Sequence, residues 1–139
     1  MYSFRNDYSE GAHPKVLEAL HETNLVQTCG YGLDPFCSEA AQLIRTLCAA
    51  PEADVHFLVG GTQTNLVVLD ALLASYESVI AAHTGHINVH ETGAIEATGH
   101  KVCTVFSSDG KLTPALVDTV VQCHSSEHMV LPRVVYVSD

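Results

Sequence analysis

With 139 residues, the chain is long enough for one domain with a real core, or for a piece of a larger domain. Apolar residues make up 47% and charged residues 16%, which fits a buried-sheet globular protein and not a disordered one. Six basic against sixteen acidic residues leave a formal charge of −10, which argues against nucleic acid and against an anionic membrane surface as partner. No apolar run is long enough to span a bilayer, and the first residues lack a basic-then-apolar leader, so the expected location is the cytoplasm. The five cysteines (Cys29, Cys37, Cys48, Cys103 and Cys123) are odd in number and form no CxxC. Reduced, mostly buried thiols fit that pattern better than a disulfide framework or a zinc ribbon.

Residues 1–13 are polar and aromatic without a clear period and read as an arm. Pro14 suits a first helical position, and Val16, Leu17 and Leu20 then share one face of a short helix. Asn24 to Tyr31 reads as a loop, with Gly30 and Gly32 flanking Tyr31. Asp34-Pro35 supplies an N-cap and a first turn, and Phe36, Ala40, Leu43, Ile44 and Leu47 form a stripe at helical spacing. After Pro51 the spacing predicts a strand over 55–59, which runs into Gly60-Gly61-Thr62-Gln63-Thr64-Asn65 and a helix over 62–75. That helix carries Leu66, Val67, Val68, Leu69, Ala71, Leu72 and Leu73. It is apolar nearly all round and is expected to be buried.

A short strand follows at 78–82, then a loop rich in His and Gly and a short helix around 88–97 stopped by Gly99. Lys101 to Phe106 reads as a strand and Ser107-Ser108-Asp109-Gly110 as a turn. Thr113-Pro114 caps an amphipathic helix showing Leu116, Val117, Val120 and Val121, and Arg133 to Val137 makes the last strand. From residue 55 onward strands and helices alternate, which implies an α/β fold: a mostly parallel sheet with right-handed crossovers and helices on both faces.

The turn at Gly60 to Asn65 has the make-up of a phosphate cradle. Glycines let backbone approach a ligand closely, the first helical N–H groups lack partners, and the positive end of the helix dipole attracts an anion. An ordinary strand-to-helix turn has the same make-up, so both readings stand on these residues alone. Ligands of parallel sheets sit outside the carboxyl ends of the strands. Three such ends are polar here: Gly60 to Asn65, His83 to Glu91, and Ser138-Asp139. A cradle and a histidine cluster expected on one edge favour the ligand reading.

His83, His86 and His90 admit three explanations: a divalent-metal set, a ring stacked on an aromatic cofactor, or polar loop residues. No HExxH is present, and Glu91 is adjacent to His90 and not a turn away. Other chemistries are excluded by motif. GGTQTN lacks the GK[ST] of a nucleotide-binding P-loop, no GxGxxG follows the strand, and no GxSxG elbow occurs. No motif supports a cysteine nucleophile, and Lys15, Lys101 and Lys111 read as solvated. The residues alone therefore lead to a phosphate-bearing, aromatic ligand at a sheet edge, and name no reaction.

Four separated motifs resemble those of the threonine aldolases and related β-eliminating lyases, which use pyridoxal 5′-phosphate (PLP) and share the aminotransferase-like fold. Phe4-Arg5-Asn6-Asp7 resembles the family's opening R-S-D, and Tyr31-Gly32-Leu33-Asp34-Pro35 its Y-G-x-D-P loop. Gly61-Thr62-Gln63-Thr64-Asn65 resembles its G-T-Q-[AT]-N cradle, and His86 through Ala94 its H-x₄-E-x-G-[GA] segment. The resemblance implies that Gly61 and Thr62 hold the PLP phosphate and that His86 stacks on the pyridine face, orients the cofactor and helps move protons. It makes His83 a spectator. It implies that Tyr31 reaches the active site of a partner subunit, and that Asn6 stands where relatives carry a serine touching the substrate carboxylate.

The implied activity is that of a lyase acting on an amino acid by Cα–Cβ cleavage or β-elimination. The family also needs a lysine that anchors PLP and an acidic partner for the pyridine nitrogen. Nothing here resembles the V-D-G-A-R or S-x-K-G segments that carry them. The reading is accordingly an arm and active-site loop over 1–35, followed over 36–139 by the N-terminal part of the PLP-binding large domain, incomplete and inactive alone. A homo-oligomer or a complementary C-terminal chain is the expected partner. A degenerate or split-protein scaffold and a histidine-metal protein are the alternatives.

Overall fold

The computed structural model describes Ser3, Asn6 and residues 8–138. The chain divides into two compact units, 1–57 and 58–139.

The first unit contains two helices, α1 (Pro14–Thr23) and α2 (Pro35–Leu47). Both begin as the local chemistry predicts, with proline in the first turn and a side-chain acceptor before it. His13 Nδ1 accepts from Lys15 N at 3.2 Å and Asp34 Oδ1 from Cys37 N at 2.9 Å. The predicted apolar faces exist, but almost nothing covers them: α1 has no buried residue, and α2 buries only Ala41.

The Asp34 cap carries a pH dependence. Hydrogen bonding to the Cys37 thiol, and then to the Cys37 backbone N–H, holds the Asp34 carboxyl below the usual carboxylate range. A depressed folded-state value stabilises the fold at pH above the unfolded value and is lost as pH falls through the folded one. Asp34→Ala is therefore expected to lower the urea midpoint at pH 7. The gap to wild type should close as pH drops below about 4, the usual Asp value. A gap that persists at pH 2 would show that the cap works without its charge.

The second unit holds a three-stranded parallel sheet in the order β2-β1-β3, with β1 spanning Glu77–Ala82, β2 Lys101–Val105 and β3 Leu131–Val135. Ser78 to Ala82 pair in register with Lys101 to Val105. The β1–β3 ladder carries an irregularity beside Ser78, where Arg133 is skipped between Pro132 and Val134. Pro132 donates no ladder bond, and it is tolerated because β3 pairs with β1 on one side only among the described residues. Helix α3 (Gly61–Leu72) and the one-turn helices α4 (His86–Val89) and α5 (Ala94–Ala97) pack on one face. There Leu69, Leu73, Val79, Ala81, Ile87 and Ile95 form a core. Helix α6 (Pro114–Cys123) covers the other face through Val120, which meets Ile80 and Cys103. The α/β reading with helices on both faces of a parallel sheet therefore holds.

Four expectations fail. Residues 55–59 are not a strand: no described segment lies alongside to complete a ladder, and β structure needs a neighbour where a helix does not. The predicted helix over 62–75 starts at Gly61, ends at Leu72 and is not buried all round. Leu69 is covered, as is Leu73 just beyond the helix, while Val67, Val68 and Leu72 stay exposed. The predicted helix over 88–97 is two one-turn helices, because Thr92 (φ 55) and Gly93 (φ 76) both adopt left-handed backbone between them. The last strand also begins two residues earlier than predicted, at Leu131.

Candidate active site

The polar residues expected at the strand ends do meet, and they do so through one carboxylate. Helix α3 opens on Gly60, whose backbone is extended, and Thr64 N is its first amide to find a carbonyl, Gly60 O at 3.0 Å. The N–H groups of Gly61, Thr62 and Gln63 precede that first bond and have no helical acceptor. Gln63 turns its side chain back to accept from Val59 N at 2.9 Å, a variant of the capping box that fixes the entry of the chain. A Cβ added to Gly60 or Gly61 would meet nothing within 4 Å, so the space before the helix is open. Unpaired N–H donors, a helix dipole and open room suit a phosphate monoester. The residues present therefore fit the phosphate of PLP.

Asn65 lies one turn into α3 and points across the sheet edge. Its Nδ2 donates to Glu91 Oε1 at 2.6 Å and lies 3.3 Å from the Tyr136 hydroxyl. The same Glu91 oxygen is 2.9 Å from His86 Nδ1. The Glu91 side chain is wholly buried whereas that of His86 is half exposed. The backbone N–H of His86 donates to Ser138 Oγ at 3.2 Å, so the third polar strand end joins as well. Asp139 lies outside the described residues. The His90 ring sits 5.4 Å from that of His86, tilted by 54°.

The metal reading of the three histidines is not supported. His83 Nδ1 accepts from Ser107 N at 3.3 Å, and its ring lies 4.7 Å from Phe106. Among the described residues no group of three or more His, Cys, Asp and Glu side chains is placed to hold a metal ion. No described helix is long and apolar enough to cross a membrane.

Asn6 and Tyr31 belong to the 1–57 unit. Asn6 Oδ1 accepts from Tyr8 N at 3.2 Å and Ser9 Oγ at 2.7 Å. Phe4, Arg5 and Asp7 of the same motif lie outside the described residues. Tyr31 is fully exposed and takes left-handed backbone (φ 62), followed by Gly32 (φ 75). An aromatic residue in that region is strained and persists where its surroundings or its role require it. Sequence reasoning gave Asn65 no role of its own, considered Glu91 only as a metal ligand, and missed Tyr136. The one signal for Glu91 was its place in the H-x₄-E segment.

A family model described as β-eliminating lyase matches residues 4–138. The low specificity L-threonine aldolase of Pseudomonas sp. (strain NCIMB 10558) is 34% identical over 137 residues, covering 97% of this chain and 39% of its own length. The enzyme of the same name from Pseudomonas aeruginosa is 34% identical over 134 residues, covering 95% and 38%. The solved structure of a Leishmania major threonine aldolase superposes with a TM-score of 0.96 at 52% identity, over 100% of this chain and 41% of that one. The chain thus spans about two-fifths of the length of these relatives. With the four motifs, the parallel sheet and the matched family model in agreement, the chain belongs to the β-eliminating lyase family, whose PLP-dependent fold it shares with the threonine aldolases.

Proposed function

We propose that this chain supplies the phosphate grip and the ring-facing histidine of a PLP-dependent lyase that cleaves the Cα–Cβ bond of an amino acid or eliminates a group from its Cβ. The observation that carries the reading is the Asn65–Glu91–His86 network. It ties the open N-terminus of α3 to an exposed imidazole on the same sheet edge. When bound, PLP supplies the electron sink for the pair left on Cα when a bond to it breaks. Gly61 and Thr62 bind the phosphate through their N–H groups and the Thr62 hydroxyl. His86 orients the ring with its flat face and helps move protons near the reacting carbon. The Asn6 amide donates to the substrate carboxylate, and Tyr31 extends its exposed ring into the site of a partner subunit.

The anchoring lysine and the acidic partner of the pyridine nitrogen come from residues other than the matched motifs. The exposed apolar faces of α1, α2 and α3 favour a homo-oligomer or a complementary chain as partner. The same faces would serve a scaffold without activity of its own, and PLP binding separates the two readings. The division at residue 35, an arm and active-site loop before a partial PLP-binding domain, belongs to this proposal, as does a cytoplasmic location. Five free thiols fit a reducing compartment, although only Cys103 is buried where burial of most was expected.

Thr62→Val tests the cradle. Removing one charge-assisted hydrogen bond is expected to weaken both inorganic phosphate and PLP by about 1 kcal/mol or more. Titration calorimetry that shows unchanged affinity for both would place the phosphate elsewhere.

A further inference from the structure

We infer that Glu91, braced by Asn65, is the positioning residue that fixes which nitrogen His86 presents to an aromatic ligand. The ligand half of the inference rests on the proposed role of His86; the nitrogen assignment does not. Glu91 Oε1 receives the Asn65 amide at 2.6 Å and His86 Nδ1 at 2.9 Å. An ionised carboxylate only accepts, so the imidazole places its proton on Nδ1. Nε2 makes no hydrogen bond among the described residues and is left on the half-exposed ring for the ligand.

The carboxylate itself has no freedom to drift. Its side chain is buried, and the Asn65 amide that holds it is anchored in turn by the Tyr136 hydroxyl at 3.3 Å. The backbone directly after Glu91 is left-handed at Thr92 (φ 55) and Gly93 (φ 76). Thr92 is β-branched, so that turn is strained, and strain of this kind is retained where a side chain must be aimed. Because Asn65 stands one turn inside the helix whose start forms the cradle, a single oxygen also fixes how far the ring-facing histidine lies from the phosphate donors. Glu91 Oε2 has no partner among the described residues, so only Oε1 does this work. Glu91→Gln can keep an acceptor at Oε1, whereas Glu91→Leu cannot.

The test is a long-range nitrogen–proton correlation spectrum of the ¹⁵N-labelled 139-residue chain at alkaline pH, with His86 assigned through His86→Gln. Wild type and Glu91→Gln are expected to carry the proton on Nδ1. Glu91→Leu should move it to Nε2, the form an unpartnered imidazole favours. An Nε2–H signal in wild type overturns the inference without reference to any variant, and an Nδ1–H signal surviving in Glu91→Leu overturns it too. Binding of the same chain to two probes supplies a second readout. Glu91→Leu is expected to weaken PLP by about tenfold, roughly 1.4 kcal/mol, and to leave inorganic phosphate unchanged. Equal loss on both probes would make Glu91 a merely structural residue and overturn its role toward the ring. Should PLP not bind wild type at all, the proposed function fails, while the spectrum alone decides the nitrogen assignment.

Discussion

Ile80→Ala is expected to cost about 3 kcal/mol of folding free energy. Ile80 sits in the middle of β1, the central strand, at 2% exposure. It packs with Cys103 and Val120 beneath α6, and Val105, Val117 and Val130 close the layer. Removing three carbons there forfeits burial and leaves a cavity that neighbours on two strands and a helix cannot all close. Against a typical total of about 5–15 kcal/mol the loss is large, and it reaches the site, because β1 delivers the chain to His86. Urea titration followed by circular dichroism measures it as a lower midpoint at unchanged slope. Val121→Ala, on the exposed side of α6, is the control and should change stability by no more than about 0.5 kcal/mol. A loss at Ile80 below about 1 kcal/mol would show that the α6 face of the sheet is not a packed core.

The second large effect is expected in the mass of the protein in solution. Helix α1 exposes Val16, Leu17 and Leu20, α2 exposes Leu43 and Leu47, and α3 exposes Val67, Val68 and Leu72. The helical periodicity that gathers these residues on common faces is a signature of burial, yet Leu47 is 86% exposed. Covering one such side chain is worth about 1.5–3 kcal/mol, so a partner surface that covers several would repay the cost of association. Sedimentation equilibrium is expected to show species heavier than the 14.9 kDa chain, with apparent mass rising with concentration. Leu17→Glu combined with Leu47→Glu should lower that mass at fixed concentration. A compact, cooperatively melting monomer would sink the idea, and with it the expectation of an oligomer or a complementary chain.

Local chemistry was enough for part of this. Pro14, Asp34-Pro35 and Thr113-Pro114 start helices through bonds that span two to four residues, so their starts were legible without knowing the fold. The same holds for the parallel alternation after residue 77, since apolar runs of strand length separated by helical stretches leave few other topologies. The start of α3 beside Gly60-Gly61 was legible as well, because a helix start leaves its own first N–H donors unpaired.

Only the tertiary structure decided the rest. Whether residues 55–59 form a strand depends on a neighbour that no local pattern can supply, and whether an apolar helix is buried depends on what lies over it. The backbone reversal at Thr92 placed a β-branched residue where local preference argues against it. Above all, the site is joined by hydrogen bonds from Asn65 to Glu91, 26 residues away, and to Tyr136, 71 residues away. Periodicity and capping report on contacts within a turn or two of chain. A carboxylate that binds a histidine and an amide from separate helices becomes visible only when the sheet brings them to one edge.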